Sequence, residues 1–456
     1  MDAAHHRCRL KNLNDVNTLP KKVVREHWVH DYLAGQVIYH LGEYPKRFSM
    51  APTEYDERLL ETFAAHGAKL IQLHEDWHDS QRLLGADKFT PHDRDGFIRF
   101  VDRVHALGMK IIVYASTGYF ESRDPDFDPA WDINLKHINV HFYFRYAHCS
   151  PASPEWRAYL LPRLERIMDE YGVDGLYNDF GYMPLGQHPV PPGHVSPAPE
   201  TSAHDAALED LLWTVLNLVH HRNGVYKAHY GGLRKPLGDR KMYDYIWVGE
   251  YIASTDTMRL QTRYYEPYVV PCIDLSHATL RDDDEPYRLA VPYLQFPLRV
   301  DGRPFTGECA AVPRVEYADP DKCFVVKNYR KYLEYYRTHP EAPAMYGEWD
   351  SFPGKPERRE TWLRHLDMYL PMVKEGTRVW IDISDSPVIE GKKDESLVAS
   401  LFVNDEVYMV VANYAALPAT FTSVWPWKDR ESGVTARTIT VPPHKLLYLV
   451  RAEEAR

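Results

Sequence analysis

The sequence predicts an α/β protein: a (β/α)8 TIM barrel followed by a small antiparallel C-terminal β-sandwich. Three observations predict it. Short, nearly unbroken apolar runs alternate with amphipathic helical stretches from about residue 35 to 379, the pattern of parallel strands covered by helices. About eight such runs fit this length, which favours a closed barrel over an open sheet. Beyond about residue 380, apolar and polar residues alternate with turn signals between them. The expected domains are 1–379, a barrel with an N-terminal extension, and 380–456, the sandwich.

Each element follows from local chemistry. GQVIYHLGE (35–43) reads as the first strand. Over 53–69 Leu59, Leu60, Phe63 and Ala64 recur at helical spacing, with Thr53 as start cap and Gly67 as stop. LIQLHED (70–76) is the second strand. Residues 92–110 form a helix with Phe97, Phe100, Val101 and Val104 on one face, and KIIVYAS (110–116) is the third strand. Ser153 caps a helix over 153–172, with Pro154 at its first position and Pro162 as a kink point. DGLYNDF (174–180) is the fourth strand, followed by a loop rich in Pro and Gly over 183–200. A helix over 203–224 leads to strands at 225–232, 245–251 and 268–276, and later helices fit 321–338 and 357–375. Residues 402–411 read as a hairpin about Asn404 and Asp405.

Composition bounds the partners. Contents of 44% hydrophobic and 26% charged residues are those of a soluble globular chain. The 32 Tyr, 11 Trp and 23 His stand out: aromatic faces stack on sugar rings and bases, and they also fill a large barrel core. A net charge of −11 argues against nucleic acid, whose binders need a basic stripe. No run is apolar enough to span a bilayer, so no membrane partner is expected. The N-terminus carries no apolar leader, which places the chain in the cytoplasm if that end is native, and outside it or in the periplasm if a leader was trimmed. Cys8, Cys149, Cys272, Cys309 and Cys323 are scattered without a CxxC, which suggests no zinc site and fits reduced thiols. No GxGxxG or P-loop follows the first strand, so no nucleotide cofactor is expected. Monomer and homo-oligomer both stay open.

In such a barrel the working residues lie at the C-terminal ends of strands and on the loops that follow. The polar residues there are His40, Glu43, His74, Glu75, Asp76, Ser116, Asn178, Asp179, His229, Tyr230, Glu250, Asp274 and His277. Asp179 and Glu250 stand out, because both follow apolar residues and have no adjacent Lys or Arg. Two carboxylates flanking a pocket are what glycoside hydrolysis needs: one protonates the leaving oxygen, the other attacks the anomeric carbon or activates water. The plainer role is helix capping or a structural ion pair. Asp174, five residues of strand before Asp179, lies roughly 16 Å away and belongs at the opposite end of the barrel. His74 and His78 stand roughly 13 Å apart along a strand, too far for one ion, and there is no HExxH helix. Trp77 is either a stacking platform or a packed loop residue. There is no GxSxG, and Cys149 has only its chain neighbour His148 as a base.

YGVDGLYNDF (171–180) resembles the fourth-strand signature of retaining (β/α)8 glycoside hydrolases. The α-galactosidase clan and, more loosely, the α-amylase and α-glucosidase families carry such a run. The resemblance implies that Asp179 is the nucleophile. Separately, no metal or cofactor is expected. WVGE, ending in Glu250, resembles the strand-end acid/base Glu of α-amylases. Two features depart from the α-amylase pattern: Tyr177 stands where those enzymes carry Arg, and CIDLSH (272–277) has the order of their Asn-His-Asp element changed.

The expected function is therefore cleavage of a glycosidic bond, with Asp179 as nucleophile or base and Glu250 as acid/base. His40, His74, Asp76, Trp77, Asn178, His229, Tyr230 and Asp274 are the expected carbohydrate-binding residues. The loop after Asp179 and the segment 281–315 are expected lids or subsite walls, and Arg145, Arg234 or Arg259 a clamp for an acidic sugar. Two rivals remain: a carbohydrate-binding barrel without catalysis, and a metal-dependent hydrolase using His40, His74, His229 and Asp274.

Overall fold

The computed structural model describes residues 3–20, 22–42, 48–74, 77–79, 87–122, 124–133, 139–141, 144–179, 199–229, 241–248, 256, 268–272, 280–303, 357–391 and 394–453. Eight strands form one parallel sheet: β1 (Gln36–His40), β2 (Leu70–Leu73), β3 (Lys110–Tyr114), β4 (Gly175–Asn178), β5 (Val225–His229), β6 (Tyr245–Val248), β7 (Val269–Pro271) and β8 (Arg299–Gly302). Their order is β7-β6-β5-β4-β3-β2-β1-β8. β8 lies inside the segment expected to be a lid, so that part of 281–315 is framework instead. Its signal was hidden because Arg299 and Asp301 face the helices and pair there with each other, while Arg359 joins Asp301. The strand therefore lacks an apolar run.

Helices α1 (Glu54–Ala65), α2 (Arg94–Ala106), α3 (Pro154–Tyr171), α4 (Pro199–His220), α5 (Glu285–Ala290) and α6 (Glu357–Tyr369) join or follow these strands. Their ends obey side-chain chemistry. Thr53 and Asp56 form a reciprocal capping box on α1. Asp93 accepts from Gly96 N at 3.0 Å, and Ser153 from Trp156 N at 3.1 Å. Helix α3 runs on through Pro162 and stops at Gly172, which is left-handed (φ 75°). Gly175 opens β4 because a Cβ there would come within 2.0 Å of Val225 O on the neighbouring strand.

The sheet is strongly curled. Lys227 on β5 and Gln36 on β1 are four strands apart, ~19 Å in a flat sheet, yet Lys227 Nζ donates to Gln36 Oε1 at 3.1 Å. At the two sheet ends, Cys272 after β7 pairs in parallel with Leu298 before β8, and Leu298 N donates to Pro271 O at 2.7 Å.

The C-terminal part contributes seven strands to one hydrogen-bonded, eight-stranded antiparallel sheet. Strand Ala419–Asp429 bends at a register shift between Thr422 and Trp427, so hydrogen bonding passes continuously across it. The expected hairpin spans Leu397–Val403 and Val407–Asn413. The N-terminal segment is not a barrel extension. Strand Lys22–Trp28 pairs with Arg378–Asp385, and Leu13 and Val16 of helix Ala3–Asn17 lie in this sheet's core. Among the described residues no helix is long and apolar enough to cross a membrane. The helix expected over 321–338 lies outside the described residues.

Candidate functional site

Paired residues in a parallel ladder share a face. One face of the sheet carries Tyr114, Tyr177 and Lys227 in register, then His229 beside Trp247. Asn178 pairs with Ala228, so Asp179 stands level with His229. His40 and His74 end β1 and the run after β2 on the same face.

Asp179 is 6% exposed. Its Oδ1 accepts from His229 Nδ1 at 2.5 Å and from the Tyr177 hydroxyl at 3.4 Å; its Oδ2 accepts from the Tyr114 hydroxyl at 2.9 Å. The Tyr114 hydroxyl also meets that of Tyr119. The His229 ring packs edge-on to Trp247, centroids 3.9 Å apart. His74 lies 5.7 Å from His40 and 5.2 Å from Tyr114, ring to ring. Burial, and then the neighbouring His74, hold His40 well below the usual imidazole range, so it is neutral at pH 7. The result is a carboxylate held by hydroxyl and imidazole donors from three strands, with no Arg or Lys bonded to it among the described residues. Such a group is held in a fixed orientation.

Three strand-end histidines and Asp179 thus share one face. Two other expected site residues do not. Asn178 points toward the helices, because side chains alternate along a strand. Its Oδ1 accepts from Thr117 N at 2.9 Å and its Nδ2 donates to Tyr226 Oη at 2.7 Å, so its amide braces the loop after β3 to β5. Trp77 is fully buried; it stacks on Phe97 of α2 and donates to Tyr114 O at 2.8 Å. It is the packed residue, not a platform. Glu250, Asp76, Tyr230 and Asp274 lie outside the described residues, as do Glu43, Glu75, His277, Arg234, Arg259, the side chain of Arg145 and the loop 183–198.

The other expectations divide cleanly. Asp174 binds Ile111 N at 2.8 Å and His105 at 2.8 Å, at the far end of β4. Cys149 is buried, with its thiol directed to Ala147 O at 3.9 Å. Among the described residues, one group of three metal-type ligand atoms lies within 4.8 Å: exposed His30, Asp31 and Glu375, before β1 and after α6. The strand-end histidines form no such group among the described residues. Tyr114, Tyr177 and Trp247 were missed as site residues. The available signal was alternation: in KIIVY, GLYND and YIWV an aromatic occupies the inward position beside or before the strand-end acid or histidine.

No family model matches this chain, and no curated protein does. Solved structures do. An α-amylase from Geobacillus thermoleovorans complexed with acarbose superposes with a TM-score of 0.56 at 12% identity, covering 92% of this chain and 99% of that one. A noncanonic maltogenic α-amylase from Thermotoga neapolitana gives 0.54 at 13%, with the same coverage. A trehalose-6-phosphate hydrolase from Bacillus licheniformis gives 0.55 at 12%, covering 92% and 100%. Identities this low establish a fold shared with α-amylase-type structures over nearly the whole chain.

Proposed function

We propose that this chain is a glycoside hydrolase in which Asp179 is the nucleophile or base and Glu250 the general acid/base. The observation that carries the reading is the Asp179 carboxylate at the end of the fourth parallel strand, oriented by Tyr114, Tyr177 and His229. The fold shared with an α-amylase, a maltogenic α-amylase and a trehalose-6-phosphate hydrolase supports it, and points to a carbohydrate with an α-glucosidic bond as the first substrate to try. Fold alone does not carry function, so the site must.

The reading includes a closed barrel. Following paired residues from Tyr39 through all eight strands and across the Cys272–Leu298 bridge leads back to β1's strand line at the level of Asp31, eight residues earlier. An offset of eight over eight strands is the stagger of a (β/α)8 barrel. The Lys227–Gln36 contact across the interior supports the same closure.

In the retaining form of the reaction, Asp179 attacks the anomeric carbon as the C–O bond to the leaving group breaks. Glu250 gives its proton to the departing oxygen. Water then attacks the glycosyl ester, passes a proton to Glu250, and frees Asp179. Tyr114 and His229 hold the attacking carboxylate in one rotamer, which is the positioning such a step needs.

The 2.5 Å bond between Asp179 and His229 supports a second reading, in which Asp179 orients His229 as the general base. Azide separates the two. If Asp179 is the nucleophile, Asp179→Ala loses hydrolysis of 4-nitrophenyl α-glucoside or α-galactoside and azide restores it as a glycosyl azide. If His229 is the base, azide restores nothing and His229→Ala is the more damaged variant. Full activity in Asp179→Asn or in Glu250→Gln removes that residue from the mechanism.

A further inference from the structure

The face that carries Asp179 also carries a donor that the hydrolytic reading does not use. Trp247 is 1% exposed, and its indole Nε1 has no hydrogen-bond partner. A buried N–H left unpaired is rare and costly in a folded protein, so each one asks for an explanation. Trp247 pairs with His229 in the ladder, and Asp179 is level with His229. A ligand deep enough to reach the Asp179 carboxylate is therefore deep enough to reach Trp247. Its ring is held in place by His229 at 3.9 Å and Tyr177 at 5.7 Å between centroids, two of the three residues that bond Asp179.

Gln72 offers a useful contrast. Its amide is fully buried and neither end has a partner. It stands two residues before His74 on its strand, level with Ile38 and Ile112, one layer deeper than the strand-end residues. A substrate held at Asp179 does not reach that layer. Of these two unpaired groups, only the indole stands at the level of the reacting carboxylate.

The geometry points to Trp247 as a specificity-determining residue: its indole N–H donates to an oxygen of the bound sugar, a hydroxyl or the ring oxygen. This rests on the glycosidase reading above and deepens it. A single fixed donor discriminates strongly, because a sugar lacking the accepting oxygen leaves the N–H unpaired again. The indole makes this contact in ground state and transition state alike, so its loss raises KM with little change in kcat.

The test uses the full chain and Trp247→Phe, which keeps an aromatic ring and removes the N–H. With 4-nitrophenyl α-glucoside and α-galactoside as probes, KM rises about tenfold in the variant while kcat stays within about twofold. In wild type, one compound of a monodeoxy series of the better probe loses a similar factor, and that loss disappears in Trp247→Phe. Binding of the same probe to Asp179→Asn moves one of the 11 indole N–H resonances downfield. If wild type neither binds nor cleaves either probe, the glycosidase reading fails and this inference with it. If wild type acts on a probe but Trp247→Phe matches it in KM and in the monodeoxy series, the assignment of Trp247 alone is overturned. An unmoved set of indole resonances on binding overturns it without recourse to the variant.

Discussion

Among the described residues, two buried histidines are paired with aspartates, in surroundings that differ. At the strand ends Asp179 meets His229 Nδ1 at 2.5 Å, and its other described donors are two tyrosine hydroxyls. At the junction with the antiparallel sheet Asp284 meets His365 Nε2 at 3.0 Å, and Arg364 and Lys445 surround the same carboxylate. His365 spends its other nitrogen on Tyr448 at 2.8 Å and stacks on Tyr287 with centroids 3.8 Å apart. The His365 hydrogen bond, then the nearby cations, hold the Asp284 carboxyl far below the usual range. Burial pushes His365 down. One pair is tied down by cations where the antiparallel sheet meets helix α6. The other is held by two tyrosine hydroxyls and an imidazole at the end of a strand. The two residue types are the same in both pairs, and only their surroundings differ.

The sharpest way to break this comparison is to neutralise each aspartate. Asp179→Asn should lower hydrolysis by ~10³-fold or more, the scale for removing a reacting group, with little change in melting temperature. Activity and thermal denaturation measured on the same sample check both halves.

His365→Ala should do the reverse. It removes a buried ring with two hydrogen bonds, costing about 3 kcal/mol of stability, while kcat of the folded fraction holds. The pair also sets an acid dependence. The folded state keeps His365 neutral at a lowered pKa, so stability is full above the unfolded value of about 6.5 and falls as pH drops below it. The depressed Asp284 adds a further loss below about pH 4. In His365→Gln the first of these declines should vanish from the plot of denaturation midpoint against pH, and the second should shrink.

Lys227 shows what a buried charge does without an acidic partner. Its described partner is the neutral Gln36, and burial lowers its pKa to about 7. The neutral amine is the form the fold prefers, so stability is lost as pH falls from about 10.4 toward 7. Lys227→Met should therefore stabilise, by about 2 kcal/mol net of the lost Gln36 bond at pH 6 and by progressively less above pH 7. Urea denaturation at pH 6 and pH 9.5 checks the sign. The smallest effect expected is that of Tyr114→Phe, which deletes one of Asp179's donors. It should lower kcat about tenfold, near 1.4 kcal/mol, with the fold intact by circular dichroism.

Much of the framework was legible in the chain. Thr53 and Ser153 cap helices through local hydrogen bonds, and local bonds can be read locally. The eighth strand was not legible, because Arg299 and Asp301 interrupt its apolar run, and Asp301 finds a further partner in Arg359, 58 residues beyond it. The N-terminal strand was not legible for a related reason: Lys22–Trp28 finds its partner at Arg378–Asp385, a pairing no local pattern announces. In the site, Asp179 was found from its position at a strand end. Position at a strand end also selects Asn178, although adjacent strand residues face opposite ways.

By itself the sequence determined the alternation of strand and helix, the helix caps, and the separation of Asp174 from Asp179 to opposite ends of one strand. These depend on periodicity and on contacts a few residues apart. Only the tertiary structure decided that Tyr114, Tyr177 and His229 converge on Asp179, that Trp77 and Asn178 serve packing, and that Trp247 stands level with the carboxylate. Those outcomes depend on ladder register and on the curl of the sheet, which bring together side chains from 114 to 247 that no sequence window spans.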